Sequence, residues 1–125
     1  MATRPVLEPT AEHPITIEPK DAHVTARVNG ELVADTRAAL TLQEANYPAV
    51  QYIPFEDVNQ SLLQRTSTAT YCPYKGDASY YSVKTADGTT VEDVIWTYEQ
   101  PYPAVAAIAG HVAFYADRAV ITVED

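Results

Sequence analysis

The stretch Thr70-Tyr71-Cys72-Pro73-Tyr74-Lys75-Gly76 sets a thiol and an amine three positions apart in a segment that must turn. Pro73 fixes one backbone angle, and Gly76 admits conformations closed to other residues, so the pair is held in a defined turn. Two candidate catalytic residues follow. A thiol beside a lysine and free backbone amides is the setting of cysteine nucleophiles, which makes Cys72 the first. The bland alternative is packing, since cysteine is among the most buried residue types. Lys75 is the second. It offers a cation to an anionic ligand, or an amine for covalent or acid–base chemistry once desolvated. It equally suits an ion pair with a carboxylate such as Asp57. A cysteine nucleophile also wants a base, and His13, His23 and His111 are all remote from it in the chain. His111 reads as a structural histidine.

An aromatic set accompanies this turn: Tyr52, Tyr74, Tyr80, Tyr81, Trp96 and Tyr98. On a strand, Tyr80 and Tyr81 face opposite sides, while Trp96 and Tyr98 share one face. That face either packs as ordinary sheet or walls a pocket near the cysteine turn. The pocket reading names Arg37, Tyr52, Tyr74, Lys75, Tyr80, Trp96 and Tyr98 as ligand-binding residues, with Arg37 and Lys75 as polar anchors for a small polar or anionic molecule. Metal and cofactor signals are lacking. A single cysteine excludes a cysteine-rich zinc site. Glu56-Asp57 and Glu92-Asp93 are adjacent pairs that would point to opposite faces of a strand. Walker and Rossmann glycine patterns are missing too, so neither metal nor cofactor is expected.

The composition narrows the partners. Seventeen acids against eight scattered bases give a formal charge of −9. Such a field repels a phosphate backbone, and nucleic-acid binding needs a clustered basic face, so nucleic acid and anionic membranes are set aside. Hydrophobic residues make up 46% of the 125, with nine tyrosines, which indicates a single folded domain. One cysteine allows no internal disulfide and fits a reducing compartment. No basic, apolar leader is visible, and the apolar run 104–109 is too short to span a bilayer. A cytoplasmic location is the expectation. Apolar strand edges also predict a homodimer.

These residues must be positioned by strands. Asn29-Gly30 between alternating segments is a hairpin signal, because both central residues of a type I′ turn need positive φ. It predicts strands over 22–28 and 31–36. Further segments fall at 38–42, 50–53, 78–84 and 91–98, with a last pair at 111–115 and 119–123 joined by Ala116-Asp117-Arg118. Pro54 and the Pro101/Pro103 pair open two short helices. The polar stretch 64–70 reads as loop or edge. Residues 1–12 form a proline-rich arm, and Ile15 and Ile17 predict that 13–19 dock against the body. The sum is a mostly β, compact antiparallel two-sheet domain over 13–125, β-tent-like or a sandwich, with about seven or eight short strands.

In order, His13-Pro14-Ile15-Thr16-Ile17, Asn29-Gly30, Val33-Ala34-Asp35-Thr36, Tyr52-Ile53-Pro54, Asp57-Val58, the Cys72 turn, Trp96-Thr97-Tyr98 and Ala113-Phe114-Tyr115 resemble a bacterial and fungal family known as domain of unknown function 427. The resemblance runs over residues 13–124. It implies a compact β fold of the β-tent kind and no established activity. Relatives often have Asp-His where this chain has Ser67-Thr68, which weakens any mechanism needing a histidine beside Cys72. The family sometimes carries a nucleotidyltransferase-like label. That chemistry needs a Gly-Ser turn and carboxylates spaced as Asp-x-Asp or Asp-x-Glu to hold two magnesium ions, and the sequence has neither. The expectation is therefore a small-molecule-binding domain. A small enzyme using Cys72 or Lys75 is the alternative.

Overall fold

A computed structural model of the chain describes residues 4–125; the first three residues of the proline-rich arm lie outside the described residues. Ten strands carry the fold: β1 (Ile15–Pro19), β2 (His23–Val28), β3 (Glu31–Thr36), β4 (Leu40–Glu44), β5 (Val50–Pro54), β6 (Leu63–Cys72), β7 (Gly76–Lys84), β8 (Thr90–Thr97), β9 (His111–Phe114) and β10 (Val120–Glu124). They form a seven-stranded sheet in the order β1-β4-β5-β9-β8-β7-β6 and a three-stranded sheet in the order β10-β2-β3. Every pairing between them is antiparallel. The mostly β, two-sheet reading is thus what the chain forms.

The Asn29-Gly30 hairpin is present, with φ of 49° and 81° at its two central residues and Val28 opposite Glu31. Both angles lie where a side chain is costly and where Asn and Gly are the usual solutions. The arm end docks as β1, which pairs along β4 and turns Ile15 and Ile17 toward apolar neighbours.

Three details of the expected fold are sharpened or changed. The helices are only lone 3₁₀ turns, at Phe55–Asp57, Gln60–Leu62 and Pro103–Ile108. Each is too short for α-helix nucleation to be offset by propagation. The polar stretch 64–70, open between loop and edge, is part of β6, an edge strand paired only with β7. Its residues are mostly exposed on both faces, so no apolar alternation marks it. The last two strands do not pair with each other. β9 joins β5 and β8 in the large sheet, while β10 crosses to β2 in the small one.

The large sheet has two buried faces. On one, Ile53, Val83, Ile95, Val112 and Phe114 meet Val24, Val28 and Val33 of the small sheet in an aliphatic core. On the other, Leu42, Tyr52, Tyr80, Tyr98 and Ala113 meet Val105 and Ile108 of the last 3₁₀ segment. Strict alternation divides them: Tyr52 from Ile53, Tyr80 from Tyr81, Trp96 from Ile95. No helix among the described residues is long and apolar enough to cross a membrane.

Candidate functional site

The β6–β7 turn and the end of β4 come from opposite ends of the large sheet's strand order, and the sheet curls until they touch. The turn closes with the Lys75 N–H donating to the Cys72 carbonyl, 3.2 Å, and the Lys75 carbonyl accepting from the Tyr102 N–H, 3.0 Å. Gly76 follows with φ of 110°, and a Cβ there would stand 3.4 Å from the Gln100 carbonyl oxygen. The backbone conformation demands glycine, as its place in the motif suggested, while a Cβ would only just fit.

This geometry turns Lys75 inward, leaving the residue only 7% exposed. Its Nζ donates to Glu44 Oε1 at 2.5 Å and stands 3.9 Å from Cys72 Sγ. The other oxygen of Glu44 accepts from His13 Nε2 at 2.8 Å, and the His13 ring stacks on Tyr74 with centroids 4.3 Å apart and planes 7° from parallel. Burial pushes the Glu44 carboxyl up; the hydrogen bonds from Lys75 and His13 more than reverse that, and the net direction is down. The carboxylate is therefore ionised and committed on both sides.

Asp57 is not the partner of Lys75. Its carboxylate accepts from the Thr36 hydroxyl at 2.7 Å, next to the β3 end. The choice of Glu44 follows from β-register: Ile15 lies opposite Glu44, so His13, two residues earlier, arrives beside it.

A cavity of about 240 Å³ opens beside this ion pair. Glu44 and Lys75 stand in its wall together with Tyr52, Tyr80, Trp96 and Tyr98, with Tyr115 alongside. Cross-strand pairing sets the aromatic floor, since Tyr80 lies opposite Trp96, and Trp96 opposite Ala113. The Trp96 indole N–H donates to the Tyr52 hydroxyl at 3.1 Å. Tyr115 lies against Trp96 at 4.5 Å and approaches Tyr80 hydroxyl to hydroxyl at 3.3 Å. Tyr80 in turn meets the Thr70 hydroxyl at 2.8 Å. Burial raises the Tyr52 phenol above its ordinary range despite the Trp96 bond, and burial raises Tyr98 likewise. Both remain protonated at neutral pH. Tyr98 makes no hydrogen bond among the described residues, yet no buried side-chain polar atom there is left without a partner. Its hydroxyl thus opens to the cavity.

Of the residues singled out from sequence, Tyr52, Lys75, Tyr80, Trp96 and Tyr98 meet around this one cavity. Cys72 packs behind them, half-buried against the tyrosine core. Tyr74 turns to the arm instead, where it holds His13. Arg37 is exposed in the β3–β4 connection and stands apart from the cavity. Glu44 and Tyr115 escaped the sequence reading, and His13 was set aside there as remote, for their neighbours are set only by tertiary pairing.

The model of the family described as Domain of unknown function (DUF427) matches residues 16–125. The chain belongs to this family. No curated protein matches it. The family model also bears a nucleotidyltransferase label, and the cavity's donors can be tested against that chemistry. Two magnesium ions need several converging carboxylates. Among the described residues the wall supplies Glu44 alone, with both oxygens already accepting hydrogen bonds, one from Lys75 and one from His13. Those residues do not fit a two-metal centre. Nor, among the described residues, do three or more His, Cys, Asp or Glu side chains gather where they could hold a metal ion.

Proposed function

We propose that this domain binds a small polar molecule in the tyrosine-lined cavity, with Lys75 as its principal polar contact. One observation carries the reading: an ammonium group held nearly out of water, in the wall of a cavity, by a turn built to place it. An ammonium has three N–H donors. Glu44 takes one and the Cys72 sulfur takes a second only weakly, at 3.9 Å. A buried donor left open toward a cavity is a natural contact for a ligand acceptor, and the aromatic walls offer an apolar body its surface.

The test is a small-molecule library screened by the indole N–H resonance of Trp96, the chain's one tryptophan. Hits should shift that resonance in the native protein. They should lose affinity in the Lys75→Met/Glu44→Gln double variant, which removes the pair without leaving a lone buried charge. Hits unaffected by the double variant would remove Lys75 from the site.

A second reading, catalysis, draws on the 3.9 Å approach of Lys75 Nζ to Cys72 Sγ. It requires a thiol that reacts fast with iodoacetamide at neutral pH and slows in Lys75→Met. A native thiol that reacts no faster than a free cysteine rules this out.

A further inference from the structure

Charge and donors in the cavity wall can be counted separately, and they point to a ligand class. Among the described residues, Glu44 and Lys75 are the only charged side chains in that wall, one of each sign. Their charges cancel. The Arg118 guanidinium lies over the Tyr115 ring at 5.3 Å, but with Asp117 3.8 Å from its Nε. The rest of the chain brings the formal charge to −9. A bound anion would therefore sit in a site of low dielectric with no net positive charge to balance it, and the wider field would oppose it. A bound cation fares no better. The carboxylate it needs is spent on Lys75 and His13, and the Lys75 ammonium faces the same space.

The unspent hydrogen-bonding groups lean to one side. The Tyr52 oxygen accepts from Trp96, which leaves its own O–H free to donate. The Tyr98 hydroxyl opens to the cavity, and Lys75 keeps a donor. Lys75, Tyr52 and Tyr98 thus offer donors to the cavity, while each oxygen of the wall's one carboxylate already accepts a hydrogen bond. The walls are flat rings, and about 240 Å³ falls below the roughly 300–1,000 Å³ typical of drug-sized ligands, which limits the occupant to one or two fused rings.

Resting on the binding reading above, we infer that the cavity takes an uncharged, flat ring compound bearing carbonyl acceptors, of the lactam or cyclic imide class, in preference to an anion. Its carbonyl oxygens receive the Lys75, Tyr52 and Tyr98 donors, and its ring faces lie against Trp96 and Tyr115.

Three probes sharing one bicyclic ring separate the classes: 2-quinolone, quinoline-2-carboxylate and 2-(aminomethyl)quinoline. Each is titrated into the full chain at neutral pH, with the Trp96 indole resonance and fluorescence as readouts. The neutral lactam should bind about tenfold or more tightly than either charged probe. Tyr98→Phe, which deletes one open hydroxyl and keeps the ring, should weaken the lactam by roughly threefold to tenfold, the worth of one neutral hydrogen bond. Its thermal melt should stay near that of the native protein. A carboxylate or amine that outbinds the lactam overturns the inference and leaves the binding reading standing. So does a lactam indifferent to Tyr98→Phe. Silence from all three probes, where the library screen yields other hits, also overturns the class alone. Silence in both experiments overturns the binding reading itself.

Discussion

The two faces of the large sheet are built from the same strands yet are packed for different ends. The face toward the small sheet is aliphatic: Ile53, Val83 and Ile95, with Val24 and Val28 of the small sheet against them, are all fully buried and bear no polar atom on their side chains. The opposite face is built from tyrosines, one tryptophan and an ion pair around a cavity. Aliphatic side chains interdigitate to crystal-like density and leave nothing to bind. Large rings with hydroxyl tips, tied into chains such as Thr70–Tyr80–Tyr115, span a space without collapsing into it. One sheet thus buries a solid aliphatic core on one side and keeps a cavity walled by rings and an ion pair on the other.

The difference should break most sharply on the aliphatic side. Ile95→Ala removes a fully buried side chain from a close-packed core and should cost about 2–5 kcal/mol of unfolding free energy, read by denaturant titration. Tyr98→Phe, on the cavity side, should cost far less. Equal losses would mean that the second face is as tightly packed as the first.

Next comes the ion pair. Glu44→Gln or Lys75→Met alone leaves a partner charge poorly matched, and each should destabilise by about 3 kcal/mol, the low end for a buried pair because both side chains keep some water contact. The double variant should recover part of that loss, and a thermodynamic cycle measures the coupling. Additive losses would show that the pair contributes nothing as a unit.

The same pair predicts an acid limb. The folded Glu44 carboxyl lies below its ordinary value, so as pH falls the unfolded chain takes up the proton first. Its stabilising contribution is complete above the unfolded carboxylate pKa and is lost as pH falls through the lower, folded one. Stability-against-pH curves for native and Glu44→Gln protein should converge in acid. Parallel curves would contradict the assignment.

A smaller effect is expected at Trp96. Trp96→Phe loses the bond to the Tyr52 hydroxyl, worth about 1 kcal/mol, along with part of a ring. Smallest of all is Arg4→Ala. Arg4 forks onto Asp77 at 2.6 and 3.0 Å and covers the Tyr71 ring at 4.2 Å, but the pair lies in solvent. The melting temperature should not move measurably.

The hairpin at Asn29-Gly30, the alternation through Tyr80-Tyr81 and Ile95-Trp96, and the demand for glycine at position 76 were all legible in the sequence. Each depends on near neighbours in the chain: φ at one residue, or the two-residue period of a strand. That period also assigned Trp96 and Tyr98 to one face before any partner was known. What only the tertiary structure decided was which elements meet. Whether 64–70 was loop or edge strand stayed open because β6 is mostly exposed on both faces and shows no apolar alternation. β10 left its sequence neighbour β9 because the small sheet needed a third strand. Asp57 and Glu44 are both carboxylates that Lys75 might have met, and no local pattern separates them. The curl of the sheet and the β1–β4 register chose Glu44 and delivered His13 to its other oxygen. Contacts between residues 31 positions apart are settled by the packing of whole strands, and the residue types alone carry no record of that packing.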